Sequence, residues 1–203
     1  MTDIATLMRA APVIPVLVVD DAAHARPLAE ALVAGGLPLL EVTLRTPAAL
    51  EVIAEMARVP GAIVGAGTVL GPADLAAAMA AGAQFIVSPG LTEPLARAAI
   101  DARVPFLPGI TNAGDIMRGL DLGLNRFKFF PAVASGGLPV LSALAAVFGQ
   151  VKFCPTGGIT EASAPDWLAK AFIECVGGSW LAARGETDWA TITTRAAAAA
   201  KLR

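Results

Sequence analysis

Residues 39–64, LLEVTLRTPAALEVIAEMARVPGAIV, contain the pattern that predicts the fold. Apolar runs at Leu39–Leu44 and Ile63–Val64 flank an Ala- and Leu-rich stretch at 47–57. Short apolar runs rich in Val, Ile and Leu are typical of strands buried on both faces, whereas the stretch between them has the composition of a helix. The segment therefore predicts one strand–helix–strand unit, with the two strands parallel.

This alternation extends along the whole chain of 203 residues. It gives eight strands and eight helices, or about 25 residues for each unit, which is enough for a parallel crossover. Eight units favour an α/β fold of the closed (β/α)8 TIM-barrel type, with an open doubly wound sheet as the alternative. No linker or change in composition divides the chain, so we expect residues 1–203 to form a single domain. The strands are predicted at Val13–Val19, Leu39–Leu44, Ile63–Val64, Phe85–Val87, Pro105–Leu107, Arg126–Phe130, Val151–Cys154 and Phe172–Val176, and the helices near 22–34, 47–57, 72–81, 92–102, 112–121, 138–147, 161–170 and, as a C-terminal helix, 188–201.

The composition excludes several classes of protein. Apolar residues make up 56% of the chain and charged residues 16%, compared with about 25% charged in typical globular proteins, which excludes a disordered chain. The net charge is −2 and no basic block occurs, so we expect no nucleic-acid partner. The single histidine, His24, leaves no material for a histidine-based triad or metal site, and we expect no metal. Cys154 and Cys175 lie in apolar runs and are predicted to be buried thiols, which fits a cytoplasmic protein.

Two segments resemble membrane-targeting sequences. Phe129–Val151 carries no charge and is long enough to span a bilayer, but prolines and glycines interrupt it and would leave backbone groups unsatisfied in lipid. Residues 9–25 loosely match a signal peptide, with a basic residue, an apolar run and small residues at the end. Pro12, Pro15 and the acidic pair at 20–21 oppose that interpretation. We therefore expect neither a membrane span nor export.

Lys128 is the first candidate for chemistry because it lies among phenylalanines in the sixth predicted strand. Active sites of (β/α)8 barrels lie where the strands end and the loops to the helices begin. Burial penalises a charged ammonium, and the neutral amine that it favours is the form that attacks a carbonyl. The alternatives are a lysine that extends to solvent or one that pairs with a carboxylate. A rival candidate is Lys152, which lies nearer the start of the seventh predicted strand.

Period-two alternation places Glu41, Thr43 and Arg45 on one face of the second predicted strand. Three polar side chains on one face of an otherwise apolar strand predict a polar cavity. Glu41 has the chemistry of a general acid–base, and Arg45 can hold a carboxylate through a two-pronged hydrogen bond. The structural alternative is a Glu41–Arg45 pair that stabilises the barrel interior.

Small residues follow several predicted strands. Gly65–Thr68 comes after the third strand, where glycines admit a ligand close to the backbone and the Thr68 hydroxyl can donate a hydrogen bond. Ser88–Gly90, after the fourth strand, is a weaker signal. Thr156–Gly158 and Gly177–Ser179 follow the seventh and eighth strands, where barrels often bind phosphate through backbone N–H groups. These two segments predict a phosphate site, with two tight turns as the alternative.

Six sequence motifs occur in a characteristic order. They are LEVTLRT at 40–46, GAGTVL at 65–70, SPGLT at 88–92, FKFFPA at 127–132, CPTGGI at 154–159 and GGSW at 177–180. With these motifs the chain resembles the 2-keto-3-deoxy-6-phosphogluconate (KDPG) aldolase family, also described as 4-hydroxy-2-oxoglutarate (KHG) aldolase. The resemblance extends from about Pro12 to Trp180 and therefore covers most of the chain.

The resemblance implies a class I, metal-independent aldolase with a (β/α)8 barrel and no cofactor, assembled as a homotrimer and acting in the Entner–Doudoroff pathway. Its substrate would be a phosphorylated keto acid that is cleaved to pyruvate and D-glyceraldehyde 3-phosphate. By this resemblance Lys128 would form the Schiff base and Glu41 would be the general acid–base. The substrate would be bound by Arg45 and Thr68 at its carboxylate, by Pro89, Phe130 and Thr156 in the pocket, and by Gly157, Gly158, Gly178 and Ser179 at its phosphate.

Other functions are open at the level of sequence. A sister aldolase acts on the phosphogalactonate epimer, which differs at one stereocentre, and unphosphorylated 4-hydroxy-2-oxoglutarate is a further candidate substrate. A non-catalytic barrel that binds a phosphorylated ligand is a hypothesis of another class. Such a barrel would need no buried amine, so Lys128, Glu41 and Arg45 together favour an enzyme.

Overall fold

A computed structural model describes residues 3–202, in which parallel strands alternate with helices. The strands are β1 Val13–Leu17, β2 Leu39–Thr43, β3 Ile63–Gly67, β4 Phe85–Val87, β5 Phe106–Leu107, β6 Gly109–Ile110, β7 Arg126–Phe129, β8 Lys152–Pro155 and β9 Val176–Gly178. The helices are α1 Ile4–Ala10, α2 Ala25–Ala34, α3 Ala49–Met56, α4 Pro72–Ala80, α5 Glu93–Asp101, α6 Ala113–Asp121, α7 Gly137–Val147, α8 Ala164–Leu168 and α9 Trp189–Ala199.

The strands close into a ring. One sheet has the order β5-β4-β3-β2-β1-β9 and a second has the order β6-β7-β8. β5 and β6 are two halves of one barrel strand, separated at Pro108, which has no backbone N–H to donate to a neighbouring strand. Isolated parallel bridges, Phe153 to Ile173 and Thr156 to Gly177, join β8 to β9 and to the residues that precede it. The predicted (β/α)8 barrel is therefore confirmed, with eight strand positions in the ring.

Two apolar clusters surround and fill the barrel. The larger one packs outward-facing strand residues such as Val42 against helix residues such as Leu32 and Ile53. The smaller one lies inside the barrel and includes Leu39 and Phe85, the first residues of β2 and β4. Removing these side chains from water is the dominant stabilising contribution to the fold.

Helix α1 was absent from the sequence prediction, and it covers the amino ends of the strands. Its Leu7 and Met8 are buried in the same cluster as the first residues of β2 and β4. The Asp3 side chain caps the helix by accepting a hydrogen bond from the Thr6 backbone N–H at 2.7 Å. The amino end of the barrel is therefore closed, which leaves the carboxyl end for a ligand.

The predicted eighth strand, Phe172–Val176, is wrong in position. Phe172 lies in a turn, Ile173 forms only an isolated bridge, and β9 begins at Val176. The apolar run ends at Val176, where the strand begins. The strand then continues through two glycines that pair with β1. Gly177 and Gly178 therefore lie in the strand and do not follow it.

The same error affects the third strand, which the sequence placed at Ile63–Val64. β3 extends to Gly67, and all five of its residues pair with β2. An inward-facing glycine adds nothing to an apolar run, yet its backbone pairs like that of any other residue. Apolar patterning therefore underestimates strands whose carboxyl ends are built from glycine.

The other boundaries are close to the prediction. The first strand ends at Leu17, short of Val19, and the fifth gains the separate segment β6. The helix predicted at 161–170 is only α8, and the first predicted helix begins as a short 3-10 turn at Ala22–His24 before α2. The C-terminal helix predicted at 188–201 is α9. Within residues 3–202, no helix has the length and apolar character needed to cross a membrane.

Candidate active site

A buried ion pair crosses the interior of the barrel. Lys128 Nζ of β7 donates a hydrogen bond to Glu41 Oε1 of β2 at 2.8 Å, and the two side chains are only 7% and 4% exposed. Nζ also lies 5.4 Å from the centroid of the Phe130 ring. The carboxylate partner proposed as a structural alternative for Lys128 is therefore present. A carboxylate in this position is also what an amine nucleophile requires, because it can accept the proton that the ammonium must lose.

The ring geometry explains why these two residues meet. β2 and β7 are four positions apart in a ring of eight, so they face each other across the barrel. Glu41 lies two residues after Leu39, which belongs to the inner cluster, and Lys128 alternates with Phe127 and Phe129 of the outer cluster, so both face inward. Long side chains from opposite strands can therefore touch at the centre.

Arg45 does not share the environment of Glu41 and Thr43, contrary to the prediction. β2 ends at Thr43, which is buried and donates its hydroxyl to the Leu17 carbonyl at 2.9 Å. Arg45 lies in the turn that follows and is exposed, so strand alternation no longer determines its direction. The predicted Glu41–Arg45 pair does not form: within residues 3–202 Glu41 pairs with Lys128, and Arg45 makes no ion pair. The guanidinium is thus available to a ligand at the mouth of the barrel.

Thr68 follows the carboxyl end of β3 with an unusual backbone. Its φ of 60° is in the left-handed region, which a β-branched residue rarely adopts. Such a conformation costs about 1–3 kcal/mol and persists where the surrounding structure imposes it, often at ligand sites. The half-buried Thr68 therefore lies directly after the carboxyl end of β3, and its role as a ligand donor stays a prediction.

Pro89 and Phe130, predicted to line the pocket, are half-buried just beyond β4 and β7. The turn that carries Pro89 is fixed by Ser88, whose buried hydroxyl donates to the Gly90 carbonyl at 2.7 Å. Phe130 donates its backbone N–H to the Ile110 carbonyl at 3.2 Å. The turn of Pro89 is also joined to β5, since the Ser88 backbone N–H donates to the Leu107 carbonyl at 3.3 Å, so both residues follow segments that are anchored to neighbouring strands.

The two glycine segments predicted to bind phosphate lie side by side. Thr156 forms a bridge with Gly177, which brings the residues after β8 next to the end of β9. Gly157 and Gly158 have φ values of 101° and 80°, which only glycine adopts readily. Within residues 3–202, the backbone N–H groups of Gly158 and Ser179 donate no hydrogen bond. Adjacent N–H groups in such turns form a cradle suited to an anion.

The glycine segment after β8 is also tied to the segment that follows Lys128. The backbone N–H of Ala132 donates to the Thr156 carbonyl at 2.7 Å, and that of Val133 donates to the Gly157 carbonyl at 3.1 Å. The lysine and the anion cradle are therefore parts of one hydrogen-bonded unit.

The rival lysine and the single histidine lie elsewhere. Lys152 begins β8 and its Nζ donates to the Ala171 carbonyl at 2.9 Å, at the amino end of the barrel. His24 packs edge-on against Trp189, with ring centroids 5.8 Å apart. Neither residue contacts the Lys128–Glu41 pair. The part of the chain that the structure describes contains no group of three or more His, Cys, Asp or Glu side chains placed to hold a metal ion.

An ion pair joins two loops beside the barrel mouth. Arg184, after β9, contacts both carboxylate oxygens of Asp20, after β1, at 2.6 and 2.7 Å. This hydrogen bonding holds the pKa of the Asp20 carboxyl below its usual range and raises the pKa of Arg184. The sequence analysis missed both residues, since their partnership depends on the closure of β1 against β9.

Comparison with known proteins places this geometry in context. The family described as "KDPG and KHG aldolase" matches residues 4–195. The KHG/KDPG aldolase of Escherichia coli (strain K12) is 54% identical over 181 residues, which are 89% of this chain and 85% of that protein.

Solved structures agree. The 2-keto-3-deoxy-6-phosphogluconate aldolase of Zymomonas mobilis ZM4 with 3-phosphoglycerate has a TM-score of 0.98 and 58% identity, covering 99% of this chain and 96% of that one. The KDPG aldolase of Legionella pneumophila, with pyruvate captured as a covalent carbinolamine intermediate, has a TM-score of 0.95 and 43% identity, covering 98% of this chain and 99% of that one.

Proposed function

The chain belongs to the KDPG and KHG aldolase family, and we propose that it cleaves 2-dehydro-3-deoxy-6-phospho-D-gluconate reversibly to pyruvate and D-glyceraldehyde 3-phosphate. It is a carbon–carbon lyase of the class I type and also acts on 4-hydroxy-2-oxoglutarate, as the name of the E. coli relative states for that protein. The observation that carries the proposal is the buried contact between Lys128 and Glu41 at the open end of the barrel.

The first chemical step is imine formation at Lys128. Its amine adds to the C2 ketone of the substrate, and the resulting carbinolamine loses water to give a protonated imine. Glu41, 2.8 Å from Nζ, can accept the proton that the ammonium must lose and return it to the departing hydroxyl. The covalent carbinolamine of pyruvate in the Legionella relative supports this step.

Carbon–carbon cleavage follows from the electron demand of the imine. Glu41, acting through a water molecule, removes the proton of the C4 hydroxyl, the C3–C4 bond breaks, and its electrons move into the protonated imine. D-Glyceraldehyde 3-phosphate leaves and an enamine remains on Lys128. Protonation of the enamine at C3 and hydrolysis of the imine release pyruvate and regenerate the amine. One carboxylate serves these transfers because they occur in succession.

Substrate orientation is assigned to the polar groups around the mouth. We assign the substrate carboxylate to the exposed Arg45 guanidinium and the Thr68 hydroxyl, since a guanidinium matches the two carboxylate oxygens. The pocket wall is assigned to Phe130, whose ring centroid lies 5.4 Å from Lys128 Nζ, and to Pro89, which follows β4. The phosphate is assigned to Gly157, Gly158, Gly178 and Ser179, and Thr156, which forms a bridge with Gly177, is assigned to the adjoining pocket.

The decisive experiment is reductive trapping with pyruvate and borohydride, followed by peptide mass mapping. Reduction fixes the imine as a stable secondary amine, so the modified lysine can be identified directly. We expect the added mass on Lys128 alone, with Lys152 as an internal control that is also a strand lysine. Labelling at Lys152, or at no lysine, would overturn the assignment.

The substrate is tested by comparing the two C4 epimers. We expect kcat/KM to be higher for the phosphogluconate than for the phosphogalactonate compound, and to fall when the phosphate is removed. Preference for the galactonate epimer would instead identify the sister aldolase. Trapping of pyruvate without cleavage of either epimer would favour a ligand-binding barrel.

We also propose that the protein is a homotrimer, as the resemblance implies. α7 carries no charged residue, and it exposes Val140 and Val147, the latter by 73%. An exposed helix face of this kind supports contact with other copies of the chain. Light scattering should give the mass of a trimer and, for Val147→Asp, a lower mass. A monomer mass for the unaltered protein would contradict the proposal.

A cytoplasmic location is proposed from the cysteines. Cys154 and Cys175 are both buried as thiols in the small cluster inside the barrel. Thiols rather than disulfides are typical of reducing compartments. Fractionation of the native host should recover the enzyme with the cytoplasmic proteins, and recovery with exported proteins would contradict this.

A further inference from the structure

Gly67 ends strand β3 directly beside the ion pair. It pairs with Thr43 of β2, and its carbonyl accepts a hydrogen bond from the Leu44 backbone N–H at 2.8 Å. Unlike Gly157 or Gly158, Gly67 does not have a positive φ in the left-handed region. Its backbone would therefore accept any residue, and its need for glycine must come from space.

The space in question is filled by the Glu41 carboxylate. A Cβ atom added at Gly67 would lie 2.3 Å from Glu41 Oε1, 2.7 Å from Cγ and 2.8 Å from Cδ. Contacts below about 3 Å are not tolerated, so one of the two side chains would have to move. The same Oε1 accepts the hydrogen bond from Lys128 Nζ, which approaches from the opposite strand.

Glu41 has little freedom to yield. Its side chain is almost completely buried, and its strand is held between β1 and β3 along its length. A displacement that clears a Cβ at 67 must therefore move Oε1 away from its present position relative to Lys128. Misplacement of a reacting group by about 1 Å can reduce a rate by about 100-fold.

We propose that Gly67 is a positioning residue, whose missing side chain provides the space in which the Glu41 carboxylate lies against Lys128. This inference rests on the proposed function, since it assumes that Glu41 transfers protons during catalysis. It assigns a role to a glycine that the sequence analysis treated only as part of a loop admitting the ligand.

The first test is Gly67→Ala, measured with the phosphorylated substrate. We expect kcat to fall about 100-fold while KM changes less than about threefold, because the proton-transfer group moves and the binding groups remain. A raised KM with unchanged kcat would show that Gly67 instead shapes the turn at Thr68, and would overturn the proposal. So would a kcat within about threefold of the original.

Two glycines near Gly67 provide matched controls. Gly65, two residues earlier in β3, pairs with Glu41 between the strands, but a Cβ there would clash with the Phe85 ring and not with the Glu41 carboxylate. Gly65→Ala should lower thermal stability and leave kcat per folded molecule unchanged. At Gly71 a Cβ meets nothing within 4 Å, so Gly71→Ala should alter neither quantity. An equal fall in kcat for Gly65→Ala would make the effect of Gly67→Ala a general consequence of strain in β3 and overturn the proposal.

A double-mutant cycle separates positioning from general structural damage. With Glu41→Ala the carboxylate is gone, so Gly67→Ala should then change the residual rate less than about threefold and should no longer lower the melting temperature. Equal effects of Gly67→Ala with and without Glu41 would overturn the inference. If Gly67→Ala alone does not fold, folding of the double variant supports the proposal and its failure to fold contradicts it.

The melting temperatures keep this inference distinct from the proposed function. They report the contact between residue 67 and Glu41 whether or not the unaltered protein is an aldolase. An inactive unaltered protein would refute the proposed function, whereas an active one that tolerates Gly67→Ala would refute only the positioning role.

Discussion

Two basic residues on the same face of β7 have opposite environments. Lys128 pairs with Glu41 at 2.8 Å in the open half of the barrel. Arg126, two residues earlier, contacts Glu174 at 3.2 Å near the amino end, and Arg9 of α1 contacts the same carboxylate at 3.4 Å. Both ends of the barrel therefore contain a carboxylate bound by a basic group from β7.

The difference lies in what covers each cluster and in the kind of cation. At the amino end, α1 closes the barrel and both cations are arginines, which stay protonated in proteins. At the carboxyl end the cation is a lysine, whose neutral form is a nucleophile. The arginines keep their protons and so maintain a structural pair, whereas a lysine can lose its proton, as the proposed imine chemistry requires.

The largest expected effect comes from making the carboxyl end resemble the amino end. Lys128→Arg keeps the positive charge beside Glu41 but removes the amine that we propose forms the imine. We expect kcat to fall by at least about 10³-fold, as for loss of a catalytic nucleophile, with an unchanged circular dichroism spectrum. The reciprocal change, Arg126→Lys, should keep kcat within about twofold.

Lys128→Ala should likewise fold and lose turnover, and Lys152→Ala serves as the matched lysine control with full activity. Full activity of either Lys128 variant would refute the imine mechanism and with it the contrast between the two ends.

The next effect is expected from neutralising the carboxylate at the active end. Glu41→Gln keeps the size of the side chain but cannot accept a proton, so kcat should fall about 100-fold, in the range of general acid–base contributions. Glu174→Gln, the same change at the amino end, should leave kcat within about twofold. Steady-state rates per folded molecule provide the measurement, and equal losses for the two variants would erase the distinction.

At the amino end we expect substitutions to affect the free energy of unfolding and not kcat. Glu174→Gln leaves Arg126, which is only 17% exposed, without its carboxylate, and we expect a loss of about 1–3 kcal/mol in the free energy of unfolding. Arg9→Ala should cost less than about 1 kcal/mol, since that side chain is 53% exposed. Urea unfolding at pH 7 distinguishes them. A Glu174→Gln variant as stable as the unaltered protein would show that this cluster does not hold the barrel end closed.

The smallest effect concerns an ion pair outside the barrel, which serves as a reference for both clusters. Glu186, after β9, accepts hydrogen bonds from Arg195 of α9 at 2.7 and 2.8 Å and from the Ala183 backbone N–H at 2.9 Å. The Arg195 hydrogen bond and then the backbone one lower the pKa of Glu186 from its ordinary value of 4.5. The pair therefore stabilises the folded state above pH 4.5, and this contribution is lost as the pH falls through the lowered pKa.

Glu186→Gln should accordingly reduce the free energy of unfolding by less than about 1 kcal/mol at pH 7. The difference from the unaltered protein should shrink as the pH is lowered below 4.5. Urea titrations at several pH values provide the measurement. A difference that grows on acidification would give the linkage the wrong sign.

The sequence predicted the barrel and singled out Lys128 for reasons that are local. Apolar runs that alternate with helical stretches are visible within about 25 residues, and eight repeats indicate the barrel. Lys128 stood out because a lysine among phenylalanines is unusual at any position in a strand. Both inferences depend only on residues that are close in sequence.

The errors arose where local patterns stop. Arg45 lies beyond the end of β2, so alternation could not place it with Glu41. The glycine ends of β3 and β9 have no side chains that mark them as strand. α1 is only seven residues long, and its role at the barrel end depends on packing against strands that are distant in the sequence.

The sequence by itself determined the alternation of strands and helices and the chemical types of the reactive side chains, because periodicity and composition are properties of neighbouring residues. Only the tertiary structure decided that Lys128 meets Glu41, which is 87 residues away in the chain and on the opposite side of the ring. It also decided that the Glu41 carboxylate lies in the space that a side chain at position 67 would fill. Those relations follow from strand register and ring closure, which bring together residues that carry no mark of one another in the chain.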